Sequence, residues 1–309
     1  MIMEKNKEPL IVTIRCVTYN HEPFIRQCLD GFVMQKTNFR FEAIVHDDAS
    51  TDRTAAIILE YAEKYPDIIR PIIETENQYS KHDGSLTRIM NEHTHGKYVA
   101  LCEGDDYWTD PYKLQKQVDF LESHLDYFLC FHNAFKIYES SQLNHDDLFV
   151  KNDKFDRDYT GEEIIKDWII PTASVLFRRE IIESDLYSKV IREKRFLVGD
   201  SVLFLTAAHY GKIHYLNQVM SVYRKHRGGV TSAISFTDCT AWLAHNKALK
   251  HVFGNKYKIF DFFIFRSYTE VIKESLSLKK YIFFIYLVFE VLVRYPIRSF
   301  KYLFQHIFR

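Results

Sequence analysis

The sequence has no C-x-x-C pair, no glycine-rich phosphate loop, no excess of either charge and no long apolar run near its start. Each absence removes a class of protein. The five cysteines, at 16, 28, 102, 130 and 239, are scattered. That argues against structural zinc and a disulfide framework, and it fits a reducing compartment. Basic and acidic residues balance at 41 each, so no global field draws the chain to nucleic acid. Residues 1–9 are polar and charged, and without an apolar signal core no secretion is expected. No G-x-G-x-x-G follows Val17, which disfavours a dinucleotide dehydrogenase. Residues 18–23 also lack the glycine-rich loop that a sugar-nucleotide pyrophosphorylase needs to receive a triphosphate.

What is present bounds the answer from the other side. A length of 309 residues, 47% of them hydrophobic, allows one large domain or one domain with an appendage. Residues 10–17, 41–46, 68–74 and 97–102 read as short strands. Helical patterns lie between and after them, at 24–33, from about 52 to 64, at 85–95 and at 111–124. Ser50 or Asp52 is a candidate N-cap for the second of these. Strand and helix alternate four times, which predicts an open, mostly parallel α/β sheet. Such sheets bind ligands beyond the carboxyl ends of their strands. Three polar clusters fall at such ends: Thr18 to Glu22, Asp47 to Asp52, and Glu103 to Asp106. One would be coincidence; three point to a single site.

The third cluster carries the most chemistry. Glu103, Asp105 and Asp106 put three acids within four residues. Carboxylates packed so densely repel one another unless a cation lies between them. Mg²⁺ and Mn²⁺ bind through one or two carboxylates plus substrate phosphates. Further on, residues 127–138, 172–178 and 213–223 look like strands, and 202–209 like an apolar helix after Gly199-Asp200. Residues 139–158 read as a polar loop, a lid or an insertion. Arg224 to Val230 form a basic loop with two glycines. Acids at strand ends and a late basic loop suit a nucleoside diphosphate.

Four features in this order resemble family 2 glycosyltransferases: Val12 to Asn20 with Tyr19-Asn20, Asp47-Asp48-Ala49-Ser50-Thr51-Asp52, Glu103-Gly104-Asp105-Asp106 followed by Pro111 and Leu114, and Gly199-Asp200. The resemblance covers about residues 10–230. It implies a GT-A fold, a mixed and mostly parallel sheet flanked by helices, and an inverting, metal-dependent enzyme. The donor would be a nucleotide sugar, UDP-linked, and the acceptor a glycan or a lipid-linked oligosaccharide in surface-polysaccharide synthesis. Thr18, Tyr19 and Asn20 would line the nucleotide pocket. Asp48 would accept from the base, Asp105 would lie near the ribose, and Arg224 would reach the diphosphate. Asp106, with His226, would hold Mn²⁺ or Mg²⁺, and Asp200 would be the general base. Tyr107 and Trp108 are candidates for stacking on the acceptor sugar. Glu103 stands where many members carry Asp.

Blander readings stand beside these. Asp48, Asp52 and Asp200 are each candidates for mere helix caps. Trp108 and Tyr107 could pack beneath the sheet, and His226 could be an exposed loop residue. His21, His46 and His132 read as structural. The rival for the whole chain is an inactive scaffold or carbohydrate-binding protein on the same fold.

Residues 1–232 are expected to form the catalytic domain and 233–309 a helical region. Within the latter, 281–293 is apolar except for Glu290. Thirteen residues make about 20 Å of helix, short of a hydrocarbon core of about 30 Å, and Arg294 and Pro296 interrupt any longer run. With the basic amphipathic stretch 297–309, this fits a helix lying in a membrane interface. A helical bundle or a dimer interface are the alternatives. The expected location is the cytoplasm, at the inner face of the cell membrane.

Overall fold

The computed structural model describes residues 8–138, 147–151, 153–167, 169–193, 195–229, 238–254 and 256–296. Its contacts divide the chain into two compact units, Met1–Lys194 with Asp200–Ala233, and Arg195–Gly199 with Ile234–Arg309.

In the first unit the alternating pattern becomes β1 (Leu10–Thr18), α1 (Ile25–Val33), β2 (Arg40–Asp47), α2 (Thr54–Lys64), β3 (Ile69–Ile73), α3 (Ser85–Glu92) and β4 (Tyr98–Leu101). Side chains alternate across a strand, so Val12, Ile14 and Cys16 of β1 share one face. All three are fully buried there. Onto that face α1 turns Ile25, Cys28, Leu29 and Phe32, spaced one and two turns apart. Three of the five free cysteines meet in this layer, with Cys16, Cys28 and Cys102 Sγ atoms linked by two 4.0 Å contacts. Burial pushes the Cys28 thiol well up, so it is an inert packing group.

The chain continues through β5 (Tyr107–Trp108), α4 (Lys113–Ser123), β6 (Tyr127–Tyr138), β7 (Arg157–Tyr159), α5 (Gly161–Lys166), β8 (Leu176–Arg178), α6 (Glu180–Glu183), α7 (Asp185–Arg192), α8 (Gly199–Tyr210) and β9 (Lys212–Lys225). The sheet order is β3-β2-β1-β4-β8-β6-β9-β5, with β7 also on β9. It is a mixed sheet of the GT-A kind. β1 runs parallel to both β2 and β4, and β8 is antiparallel to β4. The connection reverses direction at β1, and the crevice beyond β1 and β4 is where such a sheet receives ligands.

Three expectations need correction. Residues 172–178 are not one strand. Thr172–Ser174 is a 3-10 turn, closed by Ser174 N–H and Oγ–H donating to the Pro171 carbonyl at 2.9 and 2.6 Å, and only Leu176–Arg178 pairs. The helix after position 200 begins at Gly199, so Asp200 lies inside its first turn rather than capping it. In the supposed lid, residues 147–151 and 153–158 are ordered by the sheet. Asn133 bonds both backbone groups of Val150, and β7 pairs β9. The remainder of that loop, 139–146 and 152, lies outside the described residues, as does the amphipathic stretch 297–309.

The second unit is helical: α9 (Cys239–Phe253), α10 (Ile259–Ser277) and α11 (Tyr281–Arg294). Leu243, Ile264, Tyr268, Val271, Ile272, Leu287 and Val291 form its core. The lone acid of the apolar run, Glu290, is held by Lys247 at 3.3 Å, by Arg294 at 3.7 Å and by the Tyr268 hydroxyl. The other face of α11 is bare, with Ile282 88% exposed and Ile285, Phe289 and Val293 65–68% exposed. Among the described residues, no helix is long and apolar enough to cross a membrane.

Candidate active site

At the end of β1 the backbone turns through Asn20, whose φ of 55° is left-handed, a conformation Asn tolerates better than most residues. This turn is knitted to the end of β2. Asn20 N–H donates to Ser50 Oγ at 2.9 Å, and its side-chain oxygen accepts from Thr51 N–H at 2.8 Å. The next two amides, of His21 and Glu22, donate to Thr54 Oγ1 at 2.8 Å and Asp52 at 3.0 Å. Asp52 also accepts from Thr54 N–H at 2.9 Å, but the N-cap position of α2 is Arg53, whose side chain makes no capping bond, so neither Ser50 nor Asp52 is the N-cap that the sequence suggested. Asp47 likewise serves the turn, taking Ser50 N–H and Oγ–H at 3.0 and 2.5 Å.

Asp48 is similarly committed. Its two carboxylate oxygens accept the backbone N–H groups of Gln78 at 2.6 Å and Tyr79 at 3.0 Å, and it is 1% exposed. It thus pins the segment before α3 across the end of β2. Thr18 is equally buried, its hydroxyl within 3.3 Å of the His46 carbonyl and 3.2 Å of Asp47. Thr18 and Asp48, expected to serve the nucleotide, are thus buried and engaged with the neighbouring turns, whereas Tyr19, 46% exposed, and Asn20 lie at the surface.

The end of β4 is built differently. Gly104 N–H donates to the Val17 carbonyl at 3.1 Å, bringing the acidic turn against β1. The contact is so close that a Cβ at 104 would lie 2.4 Å from Thr18 Cγ2 and 2.9 Å from His21 Nδ1. Asp105 then meets two imidazoles. His226 Nε2 is 2.9 Å and His21 Nε2 4.0 Å from its Oδ2. One ligand atom from each of the three residues lies within 4.8 Å of the others. Asp105 Oδ1 and His21 Nδ1 are buried without a hydrogen-bond partner among the described residues. Burial would raise the Asp105 carboxyl, but the His226 bond and the neighbouring imidazoles hold it below its ordinary value.

Asp106 is turned the other way. Its Oδ1 accepts the Arg224 backbone N–H at 2.7 Å, and the carboxyl is pushed well up by burial and by the charge of Asp105. Of the expected ligand pair Asp106 and His226, His226 meets Asp105, whereas Asp106 holds the start of the basic loop. The chain leaves β4 into a turn, where strand alternation no longer says which side chain faces the ligand. His21, read as structural, is the third member of the group. Arg224 spends its guanidinium on the Asp105 carbonyl and Gln27 Oε1, both at 2.5 Å, and stacks over Phe24 and Tyr107. It locks the acidic turn to α1.

Trp108 is 2% exposed and cannot reach an acceptor sugar; it packs on Phe32, with Lys113 Nζ 4.0 Å from its ring centroid. Tyr107 is half-buried under Arg224. His46 and His132 are fully buried, as expected of structural residues.

Asp200 is part-buried, and its Oδ2 accepts from the Thr172 hydroxyl at 2.6 Å. Burial raises its carboxyl and the Thr172 bond works against the rise. Glu103 is exposed at the rim of the acidic turn, among densely packed neighbours. Its carboxyl is pushed well up, first by desolvation among them and then by the charges of Asp200, Asp105 and Asp106. Asp200 lies toward the same strand end: its partner Thr172 belongs to the 3-10 turn that leads to Val175, whose carbonyl accepts Leu101 N–H at the end of β4 at 3.4 Å. The Tyr79 hydroxyl, on the segment that Asp48 pins, is raised by burial and then by Glu103 and Asp200. Carboxylates and imidazoles gathered in this way can bind a cation and the phosphates that accompany it.

Comparison with known proteins supplies the family. Residues 13–186 match the profile of glycosyl transferase family 2. An uncharacterized protein of Mycobacterium tuberculosis is 38% identical over 232 residues, covering 74% of this chain and 62% of that protein. The chain thus spans less than two thirds of this relative's length. An uncharacterized glycosyltransferase of Nostoc sp. is 24% identical over 233 residues, 74% of this chain and 69% of its own length. Among solved structures, S. aureus TarS 1-349 in complex with UDP-GlcNAc aligns with a TM-score of 0.62 and 17% identity, over 94% of this chain and 83% of that one. The mannosyltransferase PcManGT from Pyrobaculum calidifontis, in complex with GDP-Man and Mn²⁺, aligns at 0.53 and 18% identity over 89% and 80%. These structural likenesses carry the fold.

Proposed function

The chain belongs to glycosyl transferase family 2, and we propose that it transfers a sugar with inversion from a UDP-linked donor to a hydroxyl of a glycan or lipid-linked acceptor. One observation supports this reading: Asp105, His21 and His226 bring a carboxylate and two imidazoles within 4.8 Å of one another at the end of β4, in a chain that matches this family. Asp105, His226 and His21 fit a divalent cation, because two imidazoles and a carboxylate suit Mn²⁺ better than Mg²⁺, and two of their polar atoms lack partners. When bound, such an ion supplies positive charge beside the diphosphate leaving group. TarS with UDP-GlcNAc and PcManGT with GDP-Man and Mn²⁺ favour a nucleotide-sugar donor for this fold.

Asp200 takes the proton of the acceptor hydroxyl as its oxygen attacks the anomeric carbon. The bond from that carbon to the diphosphate oxygen breaks, and the electron pair leaves with the nucleoside diphosphate. A single displacement inverts the centre and needs no carboxylate nucleophile. Tyr19 offers the base a flat face, and Asn20 and Arg224 shape the pocket through the turns they lock. The test is a thermal-shift screen of UDP-, dTDP- and GDP-sugars with Mn²⁺, followed by nucleotide release from the stabilising donor. Stabilisation by a UDP-sugar with turnover that vanishes in Asp200→Asn is expected. An Asp200→Asn protein that binds and turns over equally well points instead to a scaffold.

For α11 we propose peripheral attachment to an anionic membrane. Its bare apolar face is bracketed by Lys279, Lys280 and Arg294, the composition of an interfacial helix. Lipid-linked acceptors at the inner face of the cell membrane would then be within the enzyme's plane of work. Sedimentation with vesicles containing anionic lipid is expected for the full chain and is expected to be lost in Ile285→Glu/Phe289→Glu. Retention of that double variant on the vesicles would refute the attachment.

A further inference from the structure

A candidate base needs more than a carboxylate. It must present one oxygen to the acceptor in its ionised state, in a hollow where burial favours the protonated one. Thr172 meets that need. It precedes Asp200 by a helix pair and a loop, and its hydroxyl donates at 2.6 Å to Oδ2 alone.

Thr172 belongs to a turn fixed from several sides. The turn closes on Pro171 through Ser174. The Ala173 carbonyl accepts Trp108 Nε1–H at 2.8 Å, and the Ser174 carbonyl accepts Gln117 Nε2–H at 2.9 Å. Val175 then accepts from Leu101 N–H at 3.4 Å, so the turn is also tied to β4, whose end carries the acidic cluster. Thr172 is 8% exposed and Ala173 and Ser174 are fully buried. Trp108 is itself immobile, wedged against Phe32 and so close to Gly31 that a Cβ there would lie 3.0 Å from Trp108 N. A one-turn 3-10 segment has little rigidity of its own. Three side-chain and backbone donors aimed at consecutive carbonyls supply it.

We propose that Thr172 is the positioning residue of Asp200, and that Trp108 and Gln117 act through the Ala173 and Ser174 carbonyls to hold its hydroxyl in place. This rests on the reading of Asp200 as the base. It explains two residues that do not touch a ligand, and it gives Trp108 a role in place of acceptor stacking. The hydroxyl keeps its own proton throughout. It bonds the ionised carboxylate while the acceptor's proton moves to the opposite oxygen, and it opposes the rise that burial imposes on the group.

Thr172→Val keeps the shape and deletes the donor, and Thr172→Ser keeps the donor. Two readouts separate the possibilities. Carbodiimide labelling of Asp200 across pH, followed by peptide mass, requires the protonated carboxyl and needs no donor sugar. UDP release from UDP-GlcNAc with Mn²⁺ across pH reads turnover. In Thr172→Val the labelling profile is expected to move to higher pH. The acid limb of turnover should move with it, and activity on that limb should fall roughly tenfold, the weight of one hydrogen bond to a charged group. Thr172→Ser is expected to restore both, with melting midpoints matching the parent. A labelling profile unchanged in Thr172→Val, or a Ser variant that behaves as Val does, overturns the proposal. Full turnover in Asp200→Asn removes the base reading itself, whatever the labelling shows.

Discussion

Two strand ends within one sheet treat their acids in opposite ways. Beyond β2, Asp47, Asp48 and Asp52 are saturated with backbone and hydroxyl donors from the neighbouring turns. Beyond β4, burial and the charge of Asp105 raise Glu103 and Asp106, the imidazoles hold Asp105 itself down, and Asp105 Oδ1 has no partner among the described residues. The first end is finished by the fold. The second leaves polar atoms unpaired among the described residues. Acidic residues at strand ends are therefore two populations, and hydrogen-bond satisfaction separates them better than residue type does.

The sharpest way to break this contrast is to remove one acid from each end. For the open end the acid is Asp200, which α8 supplies rather than β4: Asp200→Asn should cut turnover by about 10²- to 10⁴-fold, the usual worth of a general base, with the melting temperature held or raised. At the closed end, Asp48→Ala strands two buried N–H groups. It should cost about 2–4 kcal/mol and lower the melting temperature by roughly 5–10 °C, read by calorimetry. Were the two variants to exchange these effects, the distinction would be wrong.

A second pair of measurements sharpens it. Asp105→Asn should abolish the stabilisation that Mn²⁺ gives the parent protein in a thermal shift, whereas Asp106→Asn should retain at least part of it. The pH dependence follows from Glu103 and Asp200, whose carboxyls are both raised in the folded state. A raised carboxyl keeps its proton in the folded chain where the unfolded chain has lost it. Stability therefore falls as pH rises from the ordinary carboxylate range to the folded value. Melting followed across pH should show that decline in metal-free protein, and Glu103→Gln or added Mn²⁺ should flatten it. The smallest effect belongs to Tyr19→Ala. This exposed side chain should leave stability within about 0.5 kcal/mol and raise only the KM for the donor.

Much of the fold was legible because its first half is local. Each strand and helix of β1 to β4 carries its own period, and the apolar face of α1 is visible in four residues. β5 and β7 were not legible, being two and three residues long and made strands only by pairing with the distant β9. In the site, the three polar clusters could be found from where they fall in the alternation, and Asp200 from the family resemblance. The ligand set could not. His226 and Asp105 are 121 positions apart, and no spacing links them to each other or to His21. Thr172 left no signal, since a threonine in an apolar run reads as strand. The one cue to Trp108 as a support was its place two residues after the acids, and that cue equally suited a ligand-facing role.

The missing side chain at position 104 governs what variation the pocket can explore. Because β1 and the acidic turn touch through that bare backbone, even a methyl group would wedge Thr18 away and displace His21 from its carboxylate neighbour. Sequence drift that retunes donor choice must therefore travel through the exposed rim, around Tyr19 and Tyr79, while the floor stays fixed. In a library randomised across the whole hollow, alanine at 104 should be as rare among survivors as tryptophan.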